Sequence, residues 1–175
     1  MISYELKRSR RARCMRLAVG PGGVITVTAP YLSSAYTVER FMQKHAEWID
    51  RAVRRMRKVK KLPVSGMRAY KEHKEAARKL VHERIAHWNA QYQHTVGRIA
   101  IRDTKTLWGS CSRKGNLNFS YKLFFLPQEL VDYVVVHELC HLKEHNHSPA
   151  FWRLVAQTIP DYARRRQELK TYILR

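Results

Sequence analysis

The fold of this chain is decided by residues 132–152, DYVVVHELCHLKEHNHSPAFW. Within this stretch His137, Glu138 and His141 form an HExxH motif inside a segment whose apolar residues recur with helical spacing. In an α-helix, residues four apart lie on one face, about 6 Å apart along the axis. Because two imidazoles placed in this way can share one metal ion, the motif predicts a helix that carries a metal site.

A catalytic zinc site needs a third protein ligand and leaves one position open for water. His145 continues the row of histidines, but in an unbroken helix it would lie about 12 Å from His137, too far for one ion. His147 directly precedes Ser148 and Pro149, which signal a new helix, so the chain can turn there and bring its imidazole back. His147 is therefore the expected third ligand. A carboxylate from a later helix is the alternative, supplied by Asp161 or Glu168.

Glu138 is expected to be the general base of the site. It lies about 100° around the helix from His137, which directs its carboxylate toward the reacting water without making it a ligand. From there it can take a proton from the attacking water and return it to the leaving group. The sequence thus predicts hydrolysis at a carbonyl or phosphoryl centre. Zinc is the expected ion, although manganese, nickel or cobalt also accept three imidazoles.

The composition describes a folded and very basic chain. Its 175 residues include 34 Lys and Arg against 14 Asp and Glu, a net charge of +20, and 45% are apolar. This length permits one full core or two small lobes sharing one. The charge makes an anionic partner plausible, including non-specific nucleic-acid contact through the basic surface.

The sequence also bears on location and redox state. No run approaches the roughly 18 apolar residues that would span a bilayer, and the first residues lack the apolar core of a signal peptide. We therefore expect a cytoplasmic protein with no membrane segment. The three cysteines are odd in number and far apart, so they are expected to be reduced thiols.

Local patterns predict a β-rich beginning followed by a mainly helical chain. The predicted elements are a β-meander over 2–30, a helix over 37–57, a linker at 58–68, a helix over 69–92, strands near 98–103, 105–111 and 116–121, and helices that start at Pro127, Ser148 and Pro160. The expected organisation is an N-terminal β-meander and helix over 1–60 and a catalytic lobe over 69–175, which together form one compact domain.

Two further segments are expected to border the site. The strand KTLWGSCS, residues 105–112, contains Gly109, a residue that can mark a close backbone approach. Phe151 and Trp152 directly follow the third histidine and are expected to be core anchors that hold His147. The candidate substrate-binding residues are Lys105, Trp108, Ser110 and Arg113.

Several motifs together resemble the YgjP-like family of SprT-related zinc metallopeptidases. The most specific are WGSC at 108–111, VVHELCH at 135–141 and NHSPAFW at 146–152, and the match extends along nearly the whole chain. The resemblance implies an α+β, zincin-like fold, with the active-site helix beside a small antiparallel sheet and an added N-terminal β-rich piece. It also implies zinc bound by His137, His141 and His147, with Glu138 as the catalytic acid and base.

Zinc-dependent hydrolysis is the expected activity, and the resemblance favours peptide cleavage. A peptidase would need an open cleft in which the KTLWGSCS strand pairs with an extended peptide. A nucleoside triphosphate pyrophosphatase or phosphohydrolase is the alternative, with Lys105, Arg113 or the basic N-terminal segment holding phosphates. A DNA-associated protease, as among the SprT relatives, would also account for the charge. A non-enzymatic binding module is disfavoured, because Glu138 would then have no reason to occupy its position.

Overall fold

The structure is a computed structural model that describes residues 3–64 and 66–174. Contacts within the chain separate two compact units, Met1–Lys60 and Lys61–Arg175, and the boundary falls inside the linker expected at 58–68. The expected domain limits stay a prediction. Within the described ranges, no helix is both long enough and apolar enough to cross a bilayer.

The first unit contains a three-stranded sheet in which the last strand is central. Its strands are Glu5–Ser9 (β1), Arg16–Val19 (β2) and Ile25–Pro30 (β3), in the order β1-β3-β2. β1 is parallel to β3, whereas β2 is antiparallel to it, so the expected β-meander is wrong. β3 pairs with a strand on each edge, and one of its faces is fully apolar and buried, through Ile25, Val27 and Ala29.

Two helices pack on this sheet where the sequence predicts one. They are Ala35–Lys44 (α1) and Ala46–Arg57 (α2), separated by His45, whose backbone is not helical. The Nδ1 atom of His45 lies 2.8 Å from the carbonyl oxygen of Phe41, at the end of the first helix. The apolar period continues across this break because both helices bury the same side, through Val38, Met42, Ile49 and Ala52.

The second unit is mostly helical. Its helices are Gly66–Tyr92 (α3), Gln128–Cys140 (α4), Pro149–Thr158 (α5) and Tyr162–Leu169 (α6). Its short strands are Lys60–Lys61 (β4), which begins at the unit boundary, Ile99–Arg102 (β5), Gly109–Cys111 (β6), Leu117–Ser120 (β7) and Tyr172–Ile173 (β8). The α+β class expected from the sequence is confirmed.

The sheet of β5, β6 and β7 differs from the expectation in two ways. Its order is β5-β7-β6, with β5 parallel and β6 antiparallel to β7, so the sheet is mixed rather than antiparallel. The strand expected over 105–111 shrinks to its last three residues. Thr104 donates a hydrogen bond to the carbonyl of Leu107 at 2.5 Å, which closes a turn where the strand was expected.

α4 runs through the core of the second unit and is apolar nearly all round, which is typical of a buried helix. It contacts α3, α5, α6 and β6. Burying each large apolar side chain here stabilises the fold by about 1.5–3 kcal/mol. The ion pair between Arg84 of α3 and Asp132 of α4, with a 2.5 Å Nε–Oδ1 distance, further ties these two helices together.

Candidate functional site

The C-terminal end of α4 carries the first two histidines of the motif. His141 caps the helix, and its Nε2 atom lies 3.2 Å from that of His137. The chain then leaves the helical path, and the Nε2 atom of His147 comes within 3.0 Å of that of His137. The candidate ligand atoms of all three residues lie within 4.8 Å of one another. The end of the helix is what allows a residue ten positions after His137 to reach it.

The protonation of His141 can be inferred from its second ring nitrogen. Its Nδ1 atom lies 2.9 Å from the carbonyl oxygen of Glu144, and a carbonyl can only accept a hydrogen bond. Nδ1 must therefore carry the proton, which leaves the lone pair of Nε2 directed at His137. This arrangement, with the second nitrogen bonded to a carbonyl, is the usual one for histidines that bind metals.

The three converging nitrogens fit one metal ion. Lone pairs that point at a common position repel one another unless a cation lies between them. Two nitrogens bound to tetrahedral zinc at about 2.0–2.1 Å would be about 3.3 Å apart, and the observed separations of 3.0 and 3.2 Å are close to this value. The donor set and its spacing thus match the group that an HExxH site requires.

Two aromatic residues at the start of α5 hold the histidines. The ring of Phe151 stacks on His141 with centroids 4.4 Å apart, and that of Trp152 stacks on His147 at 5.5 Å. The Oγ atom of Ser148 accepts a hydrogen bond from the backbone amide of Phe151 and so caps this helix. The expected role of Phe151 and Trp152 as anchors is confirmed.

Burial keeps the imidazoles of His137 and His141 neutral. It lowers the pKa of His137 to about 3, and the charges of His141, His147 and Arg166 act in the same direction. It also lowers the pKa of His141. Neutral imidazole is the form that binds a metal ion, so the protein environment favours binding before any ion arrives.

Glu138 lies beside these histidines with its side chain enclosed. The residue is only 5% exposed, and burial raises the pKa of its carboxyl group to about 8. Its Oε2 atom has no hydrogen-bond partner in the part of the chain that the structure describes. A Cβ atom at Gly109 would lie 2.7 Å from both Cγ and Oε1 of Glu138. The close approach expected at Gly109 is thereby confirmed, and its partner is Glu138.

A cavity of about 190 Å³ opens between β6 and α4 at this point. Its lining includes Trp108 and Gly109 on one side and His137 and Glu138 on the other. The remaining lining residues are Thr106, Leu107, Tyr133, Val134 and Leu169. A reacting group in this cavity would therefore lie between the carboxylate and the strand.

The structure brings only one of the four candidate substrate residues to this cavity. Trp108 lines it, whereas Ser110, Lys105 and Arg113 are not among its lining residues. The Oγ atom of Ser110 instead accepts a hydrogen bond from Asn118 of the neighbouring strand. Lys105 and Arg113 are exposed on the surface. A role for these three residues stays a prediction.

The later carboxylates considered as ligands are engaged elsewhere. Asp161 pairs with Arg164 and Arg165, and Glu168 pairs with Arg164. Neither belongs to the group of three histidines. Arg166 differs from the two preceding arginines, since its guanidinium lies over the ring of Trp152 at 4.8 Å.

Sequence reasoning did not assign Arg166, Val134 or Leu169 to the site, whereas Thr106 and Leu107 lie within the segment expected to border it. The arginine occurs in a run of three that reads as an exposed basic surface. The lining residues Thr106 and Leu107 lie in a turn that was expected to be a strand. The helical spacing within α6 places Arg166 on a different side of the helix from Arg164 and Arg165, and this spacing is visible in the sequence. No signal in the sequence, however, indicates that the turn containing Thr106 and Leu107 packs against α4.

The fold and the site together define a class of protein: an α+β protein with a group of three histidines that can hold a metal ion. A family model described as YgjP-like, metallopeptidase domain, matches residues 66–172. The chain belongs to the YgjP-like metallopeptidase family, whose members are metal-dependent hydrolases. No curated protein sequence matches the chain.

Solved structures that are similar to part of the chain include two metallopeptidase zymogens. The zymogen of the metallopeptidase abylysin from Pyrococcus abyssi is 28% identical, with 52% of this chain and 92% of that chain covered and a TM-score of 0.48. The zymogen of the metallopeptidase jannalysin from Methanocaldococcus jannaschii is 21% identical, with 53% and 92% covered and a TM-score of 0.43.

Proposed function

We propose that this protein hydrolyses peptide bonds with one zinc ion held by His137, His141 and His147. The observation that carries the proposal is the convergence of three imidazoles beside a buried glutamate on the same helix. When bound, zinc acts as a Lewis acid that polarises a carbonyl group and makes water a better nucleophile at neutral pH. The family to which the chain belongs supports the choice of reaction.

Glu138 is the proposed proton carrier of this reaction. Its carboxyl group faces the cavity, and in its ionised form it accepts a proton from the attacking water and delivers it to the nitrogen of the leaving amine. The enclosure by Gly109 keeps the carboxylate in one place, so that no reorganisation is needed during the reaction. The tilted packing of Tyr133 against His137, with centroids 5.8 Å apart, adds a further wall to the same cavity.

The edge of the mixed sheet supports a peptide as the substrate. β6 is an edge strand, and in its antiparallel pairing with β7 the hydrogen-bonded positions alternate along the strand. Trp108 and Ser112 form backbone bonds across that pair, so the backbone groups of Gly109 and Cys111 point away from it. An extended peptide could pair with this edge and pass beside Glu138. Such pairing recognises backbone rather than sequence.

Peptide cleavage can be tested with zinc-loaded protein on unfolded casein and a library of fluorogenic peptides. We expect cleavage by the wild type and a loss of about 10²–10⁴-fold in Glu138→Gln, which removes the proton carrier. Glu83→Gln is the matched control, because Glu83 is an exposed residue on α3 and should leave activity unchanged. His147→Ala should lower the zinc content, measured by mass spectrometry independently of activity.

Two outcomes would contradict the proposal. Cleavage that persists in Glu138→Gln would show that another group or a contaminant is responsible. Failure to cleave any peptide, combined with phosphate or pyrophosphate release from nucleoside triphosphates that disappears in Glu138→Gln, would assign the site to nucleotide hydrolysis instead.

A further inference from the structure

The first unit contains a second cavity of about 470 Å³ beside α1, here called the α1 cleft. Its lining residues are Met15, Tyr36, Thr37, Arg40, Phe41 and Lys44. Tyr36, Arg40 and Lys44 are four residues apart and therefore form one row along the helix. Val38 and Met42 of the same helix are buried in the core of the unit. The row is consequently a free surface and not part of the helix packing.

The α1 cleft is basic and belongs to a basic unit. Residues 1–60 carry 14 Lys and Arg against four Asp and Glu. The cleft itself is lined by two cations and no carboxylate, and Glu39, the one acidic residue of α1, is not among the lining residues. The connection between β1 and β2 reaches the cleft through Met15 and carries further charge at Arg10, Arg11 and Arg13. The local field therefore attracts a polyanion.

Aromatic rings stand exposed among these cations. Tyr36 is 68% exposed and Tyr31 is 52% exposed. The guanidinium of Arg40 lies 5.9 Å from the ring centre of Tyr36, and that of Arg10 lies 5.2 Å from the ring centre of Tyr31. The alternation of exposed aromatic rings with cations is typical of surfaces that bind single-stranded nucleic acid.

The backbone near these rings is held in place by another arginine. The Nη1 atom of Arg8 donates hydrogen bonds to the carbonyl oxygens of Tyr31 and Ser33, at 2.9 and 2.6 Å. Ser34 then caps α1 by accepting a hydrogen bond from the amide of Thr37. The segment that presents Tyr31 and Tyr36 is thus ordered before any ligand arrives, which lowers the entropic cost of binding.

We propose that the α1 cleft binds single-stranded nucleic acid without strong sequence preference. Tyr36 stacks on an unpaired base, while Arg40 and Lys44 contact the phosphates on either side. A duplex fits less well, because its base faces are covered by neighbouring base pairs. A larger cavity of this unit, about 570 Å³, is less suited to a polyanion, because Glu5 and Asp50 in its lining repel phosphate. The proposal does not depend on peptide cleavage.

The test is fluorescence anisotropy of labelled oligothymidylate with the full chain, titrated at several salt concentrations. An abasic oligonucleotide of the same length serves as a polyanion without bases. Tyr36→Ala should weaken binding to oligothymidylate by about 5- to 150-fold, the range for one stacked base, and leave binding to the abasic strand unchanged. Tyr36→Phe retains the ring and should bind as the wild type does.

Charge is tested separately with paired substitutions. Arg40→Gln with Lys44→Gln should reduce the slope of log K against log salt by about 1.4, because each phosphate contact on a single strand contributes about 0.7. Arg51→Gln with Arg55→Gln removes the same charge from exposed positions of α2 and should leave the slope nearly unchanged. Thermal unfolding midpoints equal to that of the wild type show that each variant is folded.

Four results would overturn the proposal. The first is no binding of oligothymidylate at low salt. The second is equal binding by Tyr36→Ala and the wild type, which would exclude stacking. The third is an equal decrease of the salt slope in the two paired charge variants. That result would show that the phosphates respond to the overall positive charge of the unit and not to Arg40 and Lys44. A duplex that binds more tightly than the single strand in the wild type would assign the cleft to double-stranded nucleic acid and likewise overturn it.

Discussion

Replacing Gly109 by alanine should separate catalysis from metal binding. The new Cβ atom would lie 2.7 Å from Cγ and Oε1 of Glu138, about 0.7 Å closer than an ordinary contact. Rotating the carboxylate alone does not relieve the contact, because Cγ is involved as well. Since a misplacement of about 1 Å can cost about 10²-fold in rate, we expect kcat/KM for peptide cleavage to fall by about 10- to 100-fold. This corresponds to about 1.4–2.7 kcal/mol in the activation barrier.

Gly97→Ala is the matched control for this substitution. A Cβ atom at Gly97 would lie 2.8 Å from Oδ1 of Asn116, a comparable crowding outside the cavity that Glu138 lines. Both variants should lose about 1–3 kcal/mol of unfolding free energy through overpacking, measured by urea denaturation, and both should keep one zinc ion per chain. Only Gly109→Ala should lose activity. A Gly109→Ala enzyme with kcat/KM within twofold of the wild type would refute the view that Gly109 positions Glu138.

Three further predictions concern thiols, an ion pair and pH. Ellman's reagent at pH 8 should modify the exposed Cys14 first, because burial raises the pKa of Cys111 to about 11, and Cys14→Ser should lack the fast phase. Asp132→Asn should lower the unfolding free energy by about 2–4 kcal/mol in urea denaturation, because it leaves Arg84 without its charged partner, and an unchanged midpoint would contradict this. Hydrogen bonds from two arginines hold the pKa of Asp161 below its usual value. Its ion pairs therefore stabilise the fold at any pH above the usual pKa of an aspartate, and this stabilisation is lost as the pH falls through the lowered pKa of the folded protein. The difference in stability between the wild type and Asp161→Asn should accordingly shrink between pH 7 and pH 3, and an equal difference at both pH values would rule out this linkage.

The helices could be predicted from local pattern, whereas sheet topology could not. α4 and α5 follow from apolar spacing and from the Ser148 and Pro149 start signal, which act over a few residues. The break at His45 was missed because no Pro or Gly marks it and the apolar period continues past it. The parallel pairing of β1 with β3 and of β5 with β7 depends on contacts distant in sequence. Strand direction leaves no trace in local alternation.

The candidate site was predictable to the extent that it is local. His137 and His141 share a helix, and His147 follows a visible end of that helix, so the spacing alone brings the three together. The contact between Gly109 and Glu138 joins two elements, and only the presence of a glycine hinted at it. Ser110, by contrast, was expected to contact substrate as part of the strand that lines the cleft, but successive residues of a strand face opposite sides, and Ser110 does not line the cavity that Gly109 lines.

The hydrogen bond that caps α5 offers a way to observe the site without any substrate. The amide proton of Phe151 is bonded to Ser148, so it exchanges with solvent only when that first helical turn opens. Opening would also release the rings that stack on His141 and His147. The exchange rate of this single amide therefore reports how often, in the metal-free protein, the first turn of α5 opens and the histidines lose their stacking partners. Adding zinc should slow this exchange in proportion to occupancy, which turns one backbone resonance into a titration of the metal site.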